Sequence, residues 1–394
     1  MSRPVRAVTA TAAGVPALRE ALAAALDGTG PAVLPVEDAA PDGDGGTVPD
    51  DVALLVRTSG STGAPREVML TAAALRASAE ATHRRLGGPG RWLLPLPPAH
   101  VAGLQVLVRS LVAGTEPAVL GGPFRPDAFA AATRALPGPT RRYTSLVPTQ
   151  VHRLLADAEG RAALASYDAV LLGGAASPPG LVGRARDAGA RVVTTYGMSE
   201  TCGGCVYDGE PLEGVSVALD DDGRIRLAGP VLAAGYRGRP DLDAELFERR
   251  DGVRWLRTSD LGRWAAPTGD GPARLEVLGR ADDVLVTGGV KVAPAAVERV
   301  LATQEGVGEV LVVGVPDAEW GQALVAVVVP DPAAPVPELA PLRRAVAERL
   351  TAPAAPRHLV LVDALPLRGP GKPDRRAAAD LAGRSLARAA PPPA

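Results

Sequence analysis

The chain has 394 residues, 46% of them hydrophobic and 22% charged, so it can bury more core than one small domain holds. A net charge of −2, from 42 basic and 44 acidic residues, excludes the basic bias of a nucleic-acid binder and any evident attraction to an anionic membrane. No run reaches the ~20 uncharged apolar residues of a membrane span, and Arg19 and Glu20 interrupt the N-terminal apolar stretch, which argues against a signal peptide and for a cytoplasmic protein.

Leu18, Leu22 and Leu26 recur every fourth residue, the spacing of a short amphipathic helix. Beyond them, apolar runs at 52–57, 91–96, 117–120, 143–147, 168–172 and 191–195 read as strands. Helical patterns at 71–86, 101–113, 126–136, 148–157 and 178–188 lie between those runs. Strands spaced by helices predict an α/β fold, a sheet covered by helices on both faces. From about 214 to 279 the texture changes to short strands with turn signals, as in Val215–Leu219, Asp220-Asp221-Asp222-Gly223 and Arg224–Leu227, a hairpin pattern. Past Gly279 the pattern changes again. Helix is predicted over Ala293–Thr303, Pro337–Leu350 and 374–388, and strand over Val307–Val315, Ala323–Val329 and 357–362. The organisation expected is a large N-terminal domain over 1–280, with its β-rich part at about 214–279, and a small α+β domain over 281–394.

Chemistry concentrates first at Thr58-Ser59-Gly60-Ser61-Thr62-Gly63-Ala64-Pro65-Arg66, directly after the apolar run Val52–Val56. Glycines let backbone approach a ligand closely, and the N–H groups and hydroxyls of such a loop form a concave array of donors for anionic oxygens. It is not a Walker A loop, which needs Gly-x-x-x-x-Gly-Lys-Ser/Thr; read alone it is a Ser/Gly-rich turn. Arginine dominates the 42 basic residues, and only Lys291 and Lys372 are lysines. The two cysteines, Cys202 and Cys205, flank Gly203-Gly204 at the spacing of a redox pair. The same four residues also suit two small buried side chains on a glycine-rich loop, the reading favoured here.

Four further segments follow in order: Tyr196-Gly197-Met198-Ser199-Glu200, Arg257-Thr258-Ser259-Asp260-Leu261-Gly262, Gly279-Arg280-Ala281-Asp282-Asp283 and Gly369-Pro370-Gly371-Lys372. With the 58–66 loop, this series resembles the adenylate-forming superfamily of acyl-CoA synthetases, peptide-synthetase adenylation domains and luciferases, over residues ~50–380. Within it, Thr144–Gln150, Leu172-Gly173-Gly174-Ala175 and Tyr196–Gly204 are most similar to the o-succinylbenzoate–CoA ligases of menaquinone biosynthesis.

The resemblance implies a role for each segment. Thr58, Ser59, Gly60, Ser61, Thr62 and Gly63 would cradle the ATP phosphates, with Arg66 beside them. Relatives usually carry lysine at that position, which leaves a direct catalytic role for Arg66 open. Glu200, with Ser199 beside it, would hold Mg²⁺. Tyr196 and Gly197, with Gly173, Gly174 and Ala175, would surround the adenine, and Asp260 and Arg280 the ribose. His100, Ser145, Gly203 and Gly204 would line the acid pocket. Which group takes a second substrate carboxylate is open among Arg141, Arg142 and the backbone near Gly203-Gly204. Lys372 would be the adenylation lysine, since a compact ammonium can follow charge between carboxylate and α-phosphate oxygens. Gly288 and Gly289 would admit the pantetheine arm of CoA, Lys291 would carry surface charge only, and Asp282 would be a hinge.

The expected activity is thus a two-step ligation that uses ATP, Mg²⁺ and CoA on a small carboxylic acid, most similar to o-succinylbenzoate. The alternatives are another aryl- or acyl-CoA ligase, or a stand-alone adenylation domain loading a carrier protein. A homodimer is compatible with the sequence, which does not specify the oligomeric state.

Overall fold

The computed structural model describes residues 1–37, 45–59, 65–138, 140–177, 179–266, 271–368 and 372–389. The chain divides into two compact units. One comprises Met1–Gly174, Arg184–Thr258 and Trp264–Glu276; the other comprises Ala175–Gly183, Ser259–Arg263 and Val277–Ala394.

The chain opens with β1 (Ser2–Thr9), α1 (Val15–Leu26), β2 (Ala32–Val36), β3 (Thr47–Pro49), β4 (Val52–Ser59), β5 (Pro65–Thr71) and α2 (Ala72–Arg85). There follow β6 (Arg91–Leu94), α3 (Val101–Val112), β7 (Ala118–Val119), α4 (Pro126–Arg134), β8 (Arg142–Leu146), α5 (Pro148–Ala156) and α6 (Ala158–Ala165). Next are β9 (Ala169–Leu172), α7 (Pro179–Asp187), β10 (Val192–Met198), β11 (Gly203–Tyr207), β12 (Glu210–Pro211), β13 (Ser216–Leu219), β14 (Arg224–Ala228) and β15 (Gly235–Tyr236). Then come α8 (Pro240–Leu246), β16 (Phe247–Arg250), β17 (Val253–Ala265) and β18 (Arg274–Arg280).

Among the described residues, the sheets of the first unit run β15-β5-β4-β2-β1-β3, β12-β11-β10-β9-β8-β6-β7 and β13-β14-β17-β16. In the second of these, β10, β9, β8, β6 and β7 are parallel, and β11 turns back antiparallel on β10. Parallel strands need both faces covered, and the central β9 is accordingly apolar throughout: Ala169–Leu172 is buried at every position. The leucine spacing in α1 has the expected result, with Leu18 and Leu22 fully buried. α2 begins where Thr71 accepts a hydrogen bond from the Ala74 N–H at 3.1 Å. α6 begins in the same way, where Asp157 accepts one from Gly160 at 2.7 Å.

The second unit continues with β19 (Leu285–Thr287), β20 (Val290–Val292), α9 (Pro294–Leu301), β21 (Val307–Asp317), β22 (Gly321–Pro330) and α10 (Leu339–Arg349). It closes with β23 (His358–Leu361), β24 (Leu367–Arg368), β25 (Lys372–Pro373) and α11 (Arg375–Ala389). The long β21–β22 hairpin alternates in the way a strand with two buried faces must. Val312, Leu324, Ala326 and Val328 pack with Val297, Leu301, Leu342 and Val346 of α9 and α10. Leu311, Val313, Ala323, Val325 and Val327 pack with Ala378 and Ala382 of α11.

One local expectation shifts: Tyr196–Met198 lies inside β10 rather than after a strand. Asp260 lies within β17.

Candidate active site

In parallel α/β sheets, ligands bind outside the carboxyl ends of the strands. At that edge of the first unit, β8 ends at Leu146, β9 leads into Gly173 and Gly174, and β10 carries Tyr196 and Gly197. The backbones here are packed as closely as glycine permits. A Cβ on Gly173 would stand 2.3 Å from Thr195 Oγ1, and one on Gly197 would stand 2.1 Å from the Gly203 carbonyl oxygen. Gly174 has a φ of +80°, which favours glycine. Tyr196 is half-buried beside them. The site therefore has a backbone wall where the expected adenine contacts lie.

β4 and β5 bring Thr58 opposite Arg66, so that the two residues flank the hydroxyl-rich loop. Gly60, Ser61, Thr62 and Gly63 lie outside the described residues, and Ser59 closes β4. Nε of Arg66 is buried without a hydrogen-bond partner.

Glu200 rises from a one-turn 3₁₀ segment, Ser199–Thr201, with Ser199 buried. Thr201 fastens this turn: its hydroxyl accepts from Met198 N at 2.9 Å and donates to the Gly203 carbonyl at 2.7 Å. The Glu200 carboxylate receives a hydrogen bond from the Tyr236 hydroxyl at 2.5 Å, a charge-assisted geometry. Burial first, then the Glu200 carboxylate, pushes the Tyr236 phenol far above its ordinary range, while the charge of Arg66 opposes the shift. Tyr236 thus remains the donor at any physiological pH. Tyr236 belongs to none of the five sequence segments. It reaches Glu200 because β15 pairs with β5, Tyr236 opposite Val68, a long-range relation that no neighbouring residue announces.

Of the expected acid-pocket residues, Gly203 and Gly204 open β11, Ser145 is buried on β8, and His100 caps the amino end of α3. His100 Nε2 stands 3.6 Å from a Glu37 carboxylate oxygen. Arg141 and Arg142 do not join them. Arg142 opens β8, at the opposite end from Leu146, and its guanidinium donates to the Leu136 carbonyl at 3.3 Å. Both cysteines are unpaired and fully buried. Burial drives the Cys202 thiol far above its usual range and Cys205 up to about 12, so neither is a thiolate at neutral pH. The pair is core, as the bland reading held.

The second unit holds the remaining candidates. Asp260 is mostly buried, and Arg280 Nη1 lies 3.8 Å from its Oδ1 while Nη2 donates to Asp282 at 2.9 Å. Burial works against the Arg280 charge, but Asp260 and Asp282 outweigh it and raise the pKa. The two expected ribose residues and the expected hinge therefore form one charged cluster. Gly288 has a φ of +54°, and a Cβ there would meet the Trp320 ring at 2.6 Å; Gly289 has open space. Lys291 is exposed on β20.

Lys372 begins β25, its backbone paired opposite Arg368. Gly369, Pro370 and Gly371 lie outside the described residues. Just beyond Lys372, Asp374 caps α11 by accepting from Ala377 N at 3.0 Å. Arg375 grips Glu298 through two nitrogens, at 2.6 and 3.1 Å, and Asp283 at 3.2 Å. This anchor was not evident from the motif, since Glu298 belongs to a helix far away in the chain.

Residues 7–236 match the AMP-binding enzyme family, and residues 296–372 match the AMP-binding enzyme C-terminal domain. A probable 2-succinylbenzoate–CoA ligase of Mycobacterium tuberculosis is 49% identical over 337 residues, 84% of this chain and 85% of that one. Among solved structures, o-succinylbenzoate CoA synthetase (MenE) from Bacillus subtilis, in complex with the acyl-adenylate intermediate OSB-AMP, superposes with a TM-score of 0.67. It is 28% identical, with coverage of 87% of this chain and 74% of that one. The amide bond synthetase McbA from Marinactinospora thermotolerans gives a TM-score of 0.73 at 26% identity, covering 90% and 75%.

Proposed function

Because the chain belongs to the AMP-binding enzyme family, we propose that it is an AMP-forming acid–CoA ligase acting on o-succinylbenzoate, a step of menaquinone biosynthesis. The observation that carries this reading is the Glu200 carboxylate fixed by Tyr236 beside the strand-end wall of Gly173, Gly174 and Gly197. A nucleotide laid along that wall meets backbone rather than side chains, and its phosphates meet the donors flanked by Thr58 and Arg66.

In the first step, the acid's carboxylate attacks the α-phosphorus of ATP, forming an acyl-adenylate and releasing pyrophosphate. Both reactants are anionic and carboxylate is a weak nucleophile, so the catalytic demand is for alignment and charge neutralisation. Arg66 supplies a forked cation suited to phosphate oxygens, and Lys372 supplies the compact ammonium that tracks the shifting charge. A carboxylate held at one oxygen, as Glu200 is, fits Mg²⁺, a hard cation that takes one or two carboxylates together with phosphate oxygens. When bound there, Mg²⁺ would neutralise phosphate charge. Asp260, beside Arg280, offers acceptor oxygens to the ribose hydroxyls. In the second step, the thiol of CoA attacks the acyl carbon and AMP leaves, with the Gly288-Gly289 loop serving the pantetheine arm.

The test is pyrophosphate release over a panel of aromatic, dicarboxylic and fatty acids, with and without CoA. The reading expects o-succinylbenzoate to give the highest kcat/KM and a CoA thioester as product. A fatty acid or a simple benzoate outperforming it would refute the assignment of the acid.

A further inference from the structure

Tyr236 reaches the Glu200 carboxylate from β15, an element of two residues that, among the described residues, ends its sheet. An edge strand leaves backbone N–H and C=O groups that need partners. In the segment leading into β15, the Ala233 N–H donates to the Glu200 carbonyl and the Ala234 N–H to the Met69 carbonyl, each at 2.8 Å. The carbonyls of the same residues are taken by one guanidinium. Arg254 Nη1 donates to the Ala233 oxygen at 2.6 Å, and Nη2 donates to the Ala234 oxygen at 2.9 Å.

Arg254 comes from β17, a strand of another sheet, and further contacts tie it to the phenol. Its guanidinium carbon stands 3.9 Å from the centre of the Phe247 ring, and that ring lies 6.3 Å from the Tyr236 ring. The Asp243 carboxylate accepts from the Tyr236 N–H at 2.8 Å. A Cβ on Gly235 would stand 2.6 Å from either oxygen of that carboxylate, so a side chain there would displace it. Burial pulls the Arg254 pKa down, and the Asp243 charge opposes the shift. Setting a half-buried cation against neutral carbonyls costs desolvation that a solvated edge would avoid. What the molecule gains is a phenol fixed in both backbone and ring.

We propose that Arg254 is a positioning residue that sets the Tyr236 hydroxyl against Glu200 and so readies that carboxylate for the metal–nucleotide complex. This rests on the reading of Glu200 as the Mg²⁺ carboxylate given above. Arg254 acts through Tyr236 and touches Glu200 only by way of it.

The experiment uses the full chain and measures, by calorimetry, its affinity for α,β-methylene-ATP with and without saturating Mg²⁺. The ratio of the two affinities is what the metal adds. Arg254→Met keeps the stem and removes the fork; it should lower that ratio about three- to tenfold, the scale of one hydrogen bond lost at Glu200. Affinity for the metal-free nucleotide should change little. Equal losses with and without the metal would mean a general loosening of the unit and would overturn the proposal. In a chain that already carries Tyr236→Phe, Arg254→Met should lower the ratio by less than about twofold further. A full second loss would mean that Arg254 acts apart from Tyr236 and would overturn it as well. Arg254→Lys keeps the cation and one donor, should give an intermediate fall, and stands in if the methionine variant does not fold. Glu200→Gln separates the two levels. If it lowers the ratio and Arg254→Met does not, only this inference falls; if it leaves the ratio unchanged, the metal reading of Glu200 falls and this inference with it.

Discussion

The orientation of the Glu200 carboxylate, and with it the role proposed for it, depends on one hydroxyl. Tyr236→Phe removes the 2.5 Å bond while keeping the ring, so the carboxylate loses its fixed orientation. We expect the Mg²⁺ concentration for half-maximal pyrophosphate release to rise about three- to tenfold, a loss typical of one hydrogen bond to a charged group. Thioesterification of a supplied acyl-adenylate should be little changed, and an unaltered Mg²⁺ dependence would reduce Tyr236 to a packing role. His83 makes a different demand. Burial, with the Arg109 charge second, lowers its pKa from 6.5 to about 4, so the folded chain holds it neutral where the unfolded chain protonates it. Its contribution is fully present above pH 6.5 and is lost as the pH falls toward 4, on the order of 3 kcal/mol in all. Urea unfolding across that window should show the loss, and His83→Gln should flatten it. Glu200 and Asp260 stood out as candidates because each sits in a short motif of the sequence. Tyr236 did not, because its contact with Glu200 comes from strand pairing that no local spacing encodes.

The hinge between β10 and β11 is where an element, rather than a side chain, makes the site. The register slips between Tyr196 and Gly197, and Cys202 turns left-handed at a φ of 52° so that β11 can start beside Met198. Gly197→Ala would drive a methyl into the Gly203 carbonyl oxygen. The expected cost is about 1–3 kcal/mol or more, read as a lower melting temperature together with lost adenylation; a variant of wild-type stability would contradict the close packing described here. Elements with strong periodicity were readable in advance: α3, α4, β8 and β9 lie within a residue or two of their expected bounds. α6, Ala158–Ala165, was not, since a run of small alanines marks no face. β1 was missed although Ser2–Thr9 largely alternates exposed and buried positions, because two arginines among eight residues mask its apolar face. β5 was absorbed into the loop it ends, as its proline and charges read as turn.

In the whole molecule, the candidate residues are divided between two units that each carry their own core. The change of texture past Gly279 made a second unit legible, but not the membership of Ser259–Arg263, which joins it from the middle of a strand. Long-range contacts decide that, and sequence periodicity does not report them. The anchor of Arg375 on Glu298 and Asp283 implies that the backbone just after Lys372 is held firmly. Arg375→Ala should therefore depress adenylate formation several-fold with KM for the acid nearly constant. The most direct measurement on the central claim separates the half-reactions of Lys372→Ala. Pyrophosphate release from ATP and o-succinylbenzoate should fall at least 100-fold, while conversion of supplied o-succinylbenzoyl-adenylate to the CoA thioester stays within a few-fold of the unmodified protein. Equal losses in the two half-reactions, or pyrophosphate release that persists without the lysine, would contradict it.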